Sequence, residues 1–154
     1  MHKVNIQQYH FTPANRLINS AIGLDTTTRA RTVQQALFST SIQHGAGGAR
    51  RVFRGALEGL GYPPNEITTT NPTDAALIRA VYAERRAGNG SKYFPSSTQA
   101  IRNSVVNRFH NEEADALVSL NKKLTRQMLI RKQWNQRTMH RLHRQYHPML
   151  IRNN

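Results

Sequence analysis

The chain has 154 residues, of which 38% are hydrophobic and 19% charged, so it can form one compact domain with a modest core but not two large ones. It contains no cysteine, which excludes a disulfide-stapled scaffold, a thiolate zinc site and a cysteine nucleophile. No stretch approaches the roughly 20 apolar residues that cross a bilayer, and the N-terminus lacks the apolar run of a signal peptide. We therefore expect a soluble, intracellular protein.

Positive charge dominates the chain and is concentrated at its C-terminal end. There are 22 Lys and Arg residues against 8 Asp and Glu, a formal net charge of +14. Residues 121–154 contain no acid, and their basic side chains are Lys122, Lys123, Arg126, Arg131, Lys132, Arg137, Arg141, Arg144 and Arg152. This asymmetry is typical of phosphate binding; the alternative is a solvated basic helix without a dedicated ligand. We predict a helical bundle in residues 1–120 and a basic extension in residues 121–154.

Two helices are predicted before residue 45. Thr12 and Pro13 have the pattern of a capping hydroxyl followed by proline at the first helical position, and Gly23 ends this first helix. Asp25 is predicted to cap the second helix, which runs to the glycine run after His44. The apolar positions at helical spacing are Leu17, Ile18, Ala21 and Ile22 in the first helix and Ala30, Val33, Leu37 and Phe38 in the second.

The segment after the glycine run is predicted to be a strand or loop, because glycine and proline interrupt it repeatedly. Arg50, Arg51 and Arg54 lie within it. Glycines and arginines together could cradle a phosphate, but the Gly-Lys-Ser/Thr sequence of a nucleotide-binding loop is missing. The alternative is a flexible basic connector.

Two further helices are predicted in the second half of the chain. The third begins at Asn71, with Pro72 at its first position, and ends at Gly88-Asn89-Gly90. The fourth and longest begins at Ser96 or Ser97 and continues into the basic tail. Its apolar side is predicted to be Ile101, Val105, Phe109, Ala116 and Leu120, whereas Gln99, Asn103, Val106 and His110 lie on the opposite side, free to meet a ligand.

Several short motifs, taken in order, resemble the coat proteins of tobamovirus-like rod-shaped plant viruses. The resemblance covers residues 12 to about 120, and the motifs that carry it are Pro13 with Leu17-Ile18-Asn19, Ala30-Arg31-Thr32-Val33, Asn71-Pro72-Thr73, Arg85-Arg86 and Ala100-Ile101-Arg102. It implies an all-α protein: an elongated, up-down four-helix bundle with a short irregular or β segment, to which the sequence adds a basic C-terminal helical extension.

The resemblance also implies a function without catalysis. The chain would be a capsid protein that polymerises with copies of itself into a helical rod around genomic single-stranded RNA, and would be found in the virion and, during assembly, in the host cytoplasm. No cofactor, metal or membrane partner is implied. The RNA-binding residues that it implies are Arg31, Ser96, Gln99, Ala100, Arg102 and Asn103, with Arg50, Arg51 and Arg54 standing in for a pair of arginines that the family has and this chain lacks.

Other interpretations remain open beside the resemblance. The alternative function is a non-viral architectural nucleic-acid-binding protein of ribosomal or nucleoid type. His140, His143 and His147 have a spacing that could bring imidazoles together, but a polar surface is favoured over a metal site. The acids Glu66, Glu84, Glu112, Glu113 and Asp115 are expected to form salt bridges rather than repulsive carboxylate pairs. Trp134 is expected to anchor a core or an interface.

Overall fold

The structure, a computed structural model, is helical throughout the residues that it describes, which are 6–64, 66–68 and 71–150. It has four α-helices and no strand in these ranges: α1 is Ile6–Ile22, α2 is Arg31–Gly59, α3 is Asp74–Arg85 and α4 is Gln99–Leu150. A short 3-10 turn, Thr26–Thr28, lies between α1 and α2. The prediction of an all-α, bundle-like fold is confirmed.

The chain divides into two compact units, Met1–Leu120 and Asn121–Asn154. Where side chains are described, the buried hydrophobic ones run from Ala14 to Leu120 and all belong to the first unit. In the second unit, residues 121–150 continue α4, and the side chains described there are exposed or, at Thr138, half-buried. None of the described helices is long and apolar enough to cross a membrane.

Helix α1 begins earlier than predicted and ends where predicted. Pro13 lies inside it, so the prediction that Thr12 and Pro13 open the helix is wrong. Proline in a helix interior is costly but not prohibitive, and Phe11, which packs against the core, helps to hold the preceding turn. Gly23 ends α1 with a φ of 77°, and its amide donates a hydrogen bond to the Asn19 carbonyl at 2.9 Å.

Asp25 caps the 3-10 turn and not α2, which starts six residues later at Arg31. The Asp25 carboxylate accepts hydrogen bonds from the backbone amide of Thr27 at 2.9 Å and from its hydroxyl at 2.7 Å. Asn15 donates to the same carboxylate oxygen at 3.0 Å. These hydrogen bonds, from Thr27 first and Asn15 next, lower the pKa of Asp25. The predicted capping residue is therefore right, but the element that it caps is different.

Helix α2 contains the largest departure from the sequence prediction. It bends at Gly45, whose φ of 67° and ψ of 177° are not helical, and residues 46–59, predicted as strand or loop, form its second half. Val52, Phe53, Ala56 and Leu57 recur there at helical spacing and are buried. Because burying an apolar stripe outweighs the low helix propensity of glycine, this segment is a helix and the irregular or β segment is wrong.

Helix α3 is capped by Thr73, whose hydroxyl accepts a hydrogen bond from the Ala76 amide at 3.2 Å; the predicted start at Asn71 is therefore two residues early. Its buried side chains are Leu77, Ile78, Val81, Tyr82 and Arg85. The helix ends before Gly88-Asn89-Gly90, as predicted, and all three of these residues have positive φ.

Helix α4 begins at Gln99 rather than at Ser96 or Ser97. Of the predicted apolar side, Phe109 and Leu120 are buried, whereas Ile101 is 52% exposed. Trp134 is 66% exposed, so the expectation that it anchors a core is wrong.

Candidate functional site

A buried arginine at the end of α3 joins three helices. The Arg85 side chain is fully buried and forms an ion pair with Glu112 of α4 at 3.2 Å. It also donates hydrogen bonds to Ser39 at 3.3 Å and to Gln43 at 2.9 Å, both on α2. Its guanidinium carbon lies 3.9 Å from the centre of the Phe109 ring, a cation–π contact. Arg85 therefore fixes the position of the end of α3 against α2 and α4.

The hydrogen bond from Tyr82 to Glu112 belongs to the same cluster. Burial, followed by the nearby charge of Glu112, raises the pKa of Tyr82 to about 12. Burial also lowers the pKa of Arg85, although a guanidinium keeps its proton at any physiological pH. The cluster is thus a charged, hydrogen-bonded support, and the residue before Arg85, Glu84, lines a polar pocket of the first unit.

This pocket, which we call the Glu84 pocket, has a volume of about 490 Å³ and is lined by both halves of α2, by α3 and by the loop that follows α3. The second half of α2 supplies three charged side chains to its wall. Its full lining is His44, Gly48, Arg51, Arg54, Gly55, Glu58, Glu84, Lys92, Tyr93 and Pro95. A polar lining of mixed charge suits a small polar ligand.

Glu84 is the most buried of the four ion-paired side chains in the pocket. Its side chain is 13% exposed, and one carboxylate oxygen accepts hydrogen bonds from Lys92 at 2.5 Å and from the Tyr93 hydroxyl at 2.6 Å. The close approach of α2 depends on Gly55, where an added Cβ would lie 2.5 Å from Glu84 Oε1. Glu58 forms its own ion pair with Arg54 at 2.7 Å. Each carboxylate of the pocket is thus engaged by a cation.

His44 forms the inner wall of the pocket. Its ring packs against Tyr93 and Phe94, with ring centres 5.5 and 5.2 Å apart. Burial lowers the pKa of His44, and the positive charges of Arg85, Arg51 and Arg108 lower it further. His44 is therefore a neutral imidazole at pH 7, and its Nε2 has no hydrogen-bond partner among the described residues. Burial also raises the pKa of Tyr93.

The structure brings together some of the sequence-predicted site residues and separates others. At the start of α4, Gln99 donates a hydrogen bond to Asn103 at 2.7 Å and accepts one from Arg102 at 2.9 Å. Arg51 and Arg54 line the Glu84 pocket. Ser96, Ala100, Arg31 and Arg50 are exposed, and no hydrogen bond or ion pair within the described part of the chain joins Arg31 to the residues of α4.

The salt-bridge prediction holds for Glu112 and Glu113 of α4, as it does for Glu84 of α3. Glu112 pairs with Arg85 and, at 3.3 Å, with Arg108, and Glu113 pairs with Arg86 at 2.7 Å. No group of three or more His, Asp or Glu side chains in the described part of the chain could hold a metal ion. The side chains of His143 and His147, which belong to the predicted histidine cluster, lie outside the described residues.

The first unit is thus a small helical domain with a polar pocket. Residues 2–113 match the family model described as "Type VI secretion system spike protein VgrG3-like, C-terminal". Because the match covers more than half of the chain, the chain belongs to this family. Comparison with curated proteins and with solved structures found no significant match.

This family membership overturns the resemblance to plant virus coat proteins. The capsid function, the genomic RNA partner, the self-assembled rod and the virion or host cytoplasm location are all wrong, because a secretion spike component belongs to bacterial secretion machinery. The alternative of an architectural nucleic-acid-binding protein is not supported either. The physical reason for the error is that capping sequences and amphipathic stretches such as Ala30-Arg31-Thr32-Val33 recur in unrelated helical bundles.

Sequence reasoning missed the residues that organise the pocket. The predicted salt bridges of Glu84 and Glu112 are present, but the sequence does not predict that Glu84 lines a pocket, and it places His44 only at the end of a helix. The sequence does contain a pattern that points to Arg85 as a buried residue. Arg85 continues the spacing of Ile78, Val81 and Tyr82 onto the buried face of α3. A charged residue on an apolar stripe is rarely buried unless it is paired, and it therefore points to a partner on another helix.

Proposed function

We propose that this chain is a domain borne by a type VI secretion spike protein and that the Glu84 pocket is its ligand-binding site. The observation that carries the proposal is the family match over residues 2–113, which includes all the residues of the pocket. The support for the pocket comes from its construction: three separate segments converge on it, and Gly55 leaves the space that Glu84 occupies.

The pocket favours a small polar ligand that carries a negative charge. Glu84 is paired with Lys92 and Glu58 with Arg54, whereas Arg51 forms no ion pair with the described residues. Its guanidinium is therefore available to bind a carboxylate or phosphate group. Tyr93 and His44 add an aromatic wall.

We further propose that the pocket binds its ligand without chemical conversion. Acid–base catalysis by two carboxylates requires one of them to donate a proton. In this pocket both carboxylates are held by cations, an arrangement that suits accepting hydrogen bonds. The pocket therefore has the features of a recognition site.

A second candidate function, hydrolysis, is favoured by one observation: Glu58 and Glu84 line the same pocket. A pair of carboxylates that face one cleft is the arrangement used to cleave glycosidic bonds. Incubation of the full chain with a panel of polysaccharides, followed by measurement of reducing ends, separates the two functions. Turnover that is lost in Glu84→Gln supports hydrolysis, and binding without turnover supports recognition.

The association with a spike is tested by affinity purification. The tagged full chain, expressed in a bacterium with an active type VI secretion system, is expected to co-purify spike protein. The matched control is a chain of the same length in which Arg85→Asp disrupts the fold of the first unit. Absence of spike protein from the wild-type sample, or equal recovery with both chains, contradicts the proposal.

The ligand site is tested by a thermal-shift screen of small carboxylates, sugar acids and sugar phosphates. A ligand of the pocket is expected to raise the melting temperature of the full chain and to bind Arg51→Ala at least about tenfold more weakly, as expected for loss of a charge-assisted hydrogen bond. The matched control is Arg50→Ala, which removes a neighbouring exposed arginine outside the pocket. Equal weakening by both variants contradicts the assignment of Arg51.

A further inference from the structure

The part of α4 in the second unit presents large apolar side chains to solvent. Leu124, Met128, Met139 and Leu142 are between 43% and 70% exposed. Because successive residues of an α-helix are about 100° apart, these four lie within about 60° of one another around the helix axis. We call them the apolar face. Such an exposed stripe is typical of a surface that is covered by a partner.

The opposite side of the same helix is basic. Its members, which we call the cationic face, are Lys122, Arg126, Arg137, Arg141 and Arg144, and they lie within about 100° of one another. Arg137, Arg141 and Arg144 line one shallow groove together with His140. Residues 121–154 contain no Asp or Glu, so no acid within this segment neutralises these charges.

Several other residues of the segment depart from this division. Trp134 lies about 80° from Leu124 and about 20° from Arg141 around the helix axis, so it is next to the cationic face, where an indole can contact both apolar and polar surroundings. Arg131 falls within the apolar side, where its long stem can lie along the apolar surface while its guanidinium reaches out. Leu129 and Ile130 lie towards the cationic side, and Lys132 lies about 20° from Met139, beside the apolar face.

The apolar face and the cationic face together favour one kind of binding partner. A second copy of the chain could cover the apolar face, but it would bring another nine Lys and Arg residues alongside, with no acid in 121–154 to pair with them. An anionic lipid surface offers acyl chains for the apolar face and phosphates for the basic side chains at once. No described helix is suited to span a membrane, which leaves binding along the surface.

We propose that residues 121–144 form an amphipathic helix that binds in the plane of an anionic lipid bilayer surface. The apolar face enters the boundary between headgroups and acyl chains, and the cationic face and Arg131 contact lipid phosphates. This activity lies outside the residues that match the spike family, so it is independent of the Glu84 pocket. It would bring the first unit to a bacterial membrane.

Trp134 provides a direct readout because it is the only tryptophan of the chain. We expect its fluorescence to shift to shorter wavelength when the full chain is mixed with vesicles of phosphatidylcholine and phosphatidylglycerol, and the chain to float with them. Vesicles of phosphatidylcholine alone should give at least about tenfold weaker binding, since each basic residue near an anionic surface adds attraction. No shift and no flotation with the anionic vesicles would overturn the proposal.

Two variants test whether the apolar face and the cationic face each contribute to vesicle binding. Substitution of glutamine at Leu124, Met128, Met139 and Leu142 removes the apolar face while keeping a good helix former at each position. Arg137→Glu, Arg141→Glu and Arg144→Glu reverse part of the cationic face. Each variant is expected to bind anionic vesicles at least about tenfold more weakly.

The matched control carries Arg31→Glu, Arg50→Glu and Arg79→Glu, which change the net charge equally through exposed positions of the first unit. Retained binding by this control supports the proposal, and an equal loss would show that net charge alone is responsible and would overturn it. If a variant of either face loses the circular dichroism signal of a helix, vesicle binding by the unmodified chain is measured at increasing salt concentration instead. Release at high salt supports the proposal, and binding that is insensitive to salt contradicts it.

Discussion

A charged residue that is buried in the first unit needs a partner of opposite charge. Arg85 is the most completely buried of these residues. Its side chain is fully buried, whereas its partner Glu112 is 30% exposed. Removing one member of a buried ion pair leaves the other charge without compensation. Arg85 also contributes a cation–π contact with Phe109, so its loss removes packing as well as charge.

We predict that Glu112→Ala lowers the free energy of unfolding by about 3 kcal/mol, because it leaves Arg85 buried and unpaired. The measurement is chemical denaturation of the full chain at pH 7. The control is Arg108→Ala, which removes the exposed partner of the same carboxylate and should change stability by less than about 1 kcal/mol. Equal effects of the two variants would show that Arg85 does not depend on Glu112.

His44 makes the stability of the first unit depend on pH. Because the pKa of His44 is lowered in the folded chain, the unfolded chain binds more protons as the pH falls through the ordinary value of 6.5. The contribution of His44 to the free energy of unfolding is therefore expected to be fully present above pH 6.5 and to decline below it. His44→Gln should lose less stability than the wild type between pH 7.5 and pH 5, as measured by denaturant midpoints; identical losses would contradict this role.

At the level of elements, the bend in α2 determines which side chains reach the pocket. Gly45 has a φ and ψ combination that is open essentially to glycine alone. The bend allows His44, before it, and Arg51 and Arg54, after it, to line the same pocket. The two halves of α2 therefore act as two helices joined at one residue.

We predict that Gly45→Ala lowers the free energy of unfolding by about 1–3 kcal/mol, the usual cost of a non-glycine residue in this conformation. Gly47→Ala is the matched control, since an added Cβ there meets no atom within 4 Å. That substitution should be neutral or stabilise the helix by up to about 1 kcal/mol. Thermal denaturation of both variants checks the difference, and equal melting temperatures would contradict the assigned role of Gly45.

The helices also show which features of the fold can be predicted from local sequence patterns. The stops at Gly23 and at Gly88-Asn89-Gly90 were predictable because positive φ at these positions is a local property. The second half of α2 was not, because its helical state depends on burying Val52, Phe53 and Leu57 against other helices. The Glu84 pocket was missed for the same reason: it consists of contacts between segments such as Gly55 and Glu84, which no local pattern encodes.

At the scale of the whole molecule, the two units differ in the hydrophobic side chains that they bury. Among the described residues, all the buried hydrophobic side chains lie in the first unit, and Leu120 is the last of them. The family match ends at residue 113, and the positive charge of 121–154 lies beyond it. The basic composition that suggested nucleic acid is thus a property of the extension more than of the family domain.

We predict that a chain shortened to residues 1–120 folds with a melting temperature within about 3 °C of the full chain, because truncation removes no buried core residue. The same shortened chain should keep ligand binding in the Glu84 pocket and lose binding to anionic vesicles. Circular dichroism and vesicle flotation check the two parts. Unfolding of the shortened chain would contradict the assignment of the core to the first unit.

The assignment to a secretion spike is tested most directly by export. An epitope-tagged spike protein that carries this chain at its C-terminus is expressed in a bacterium with an active type VI secretion system and in a strain with that system disabled. The tag is predicted in the medium of the first strain and absent from that of the second, with a cytosolic marker retained in both. Equal amounts in the two media, or none in either, would contradict the account.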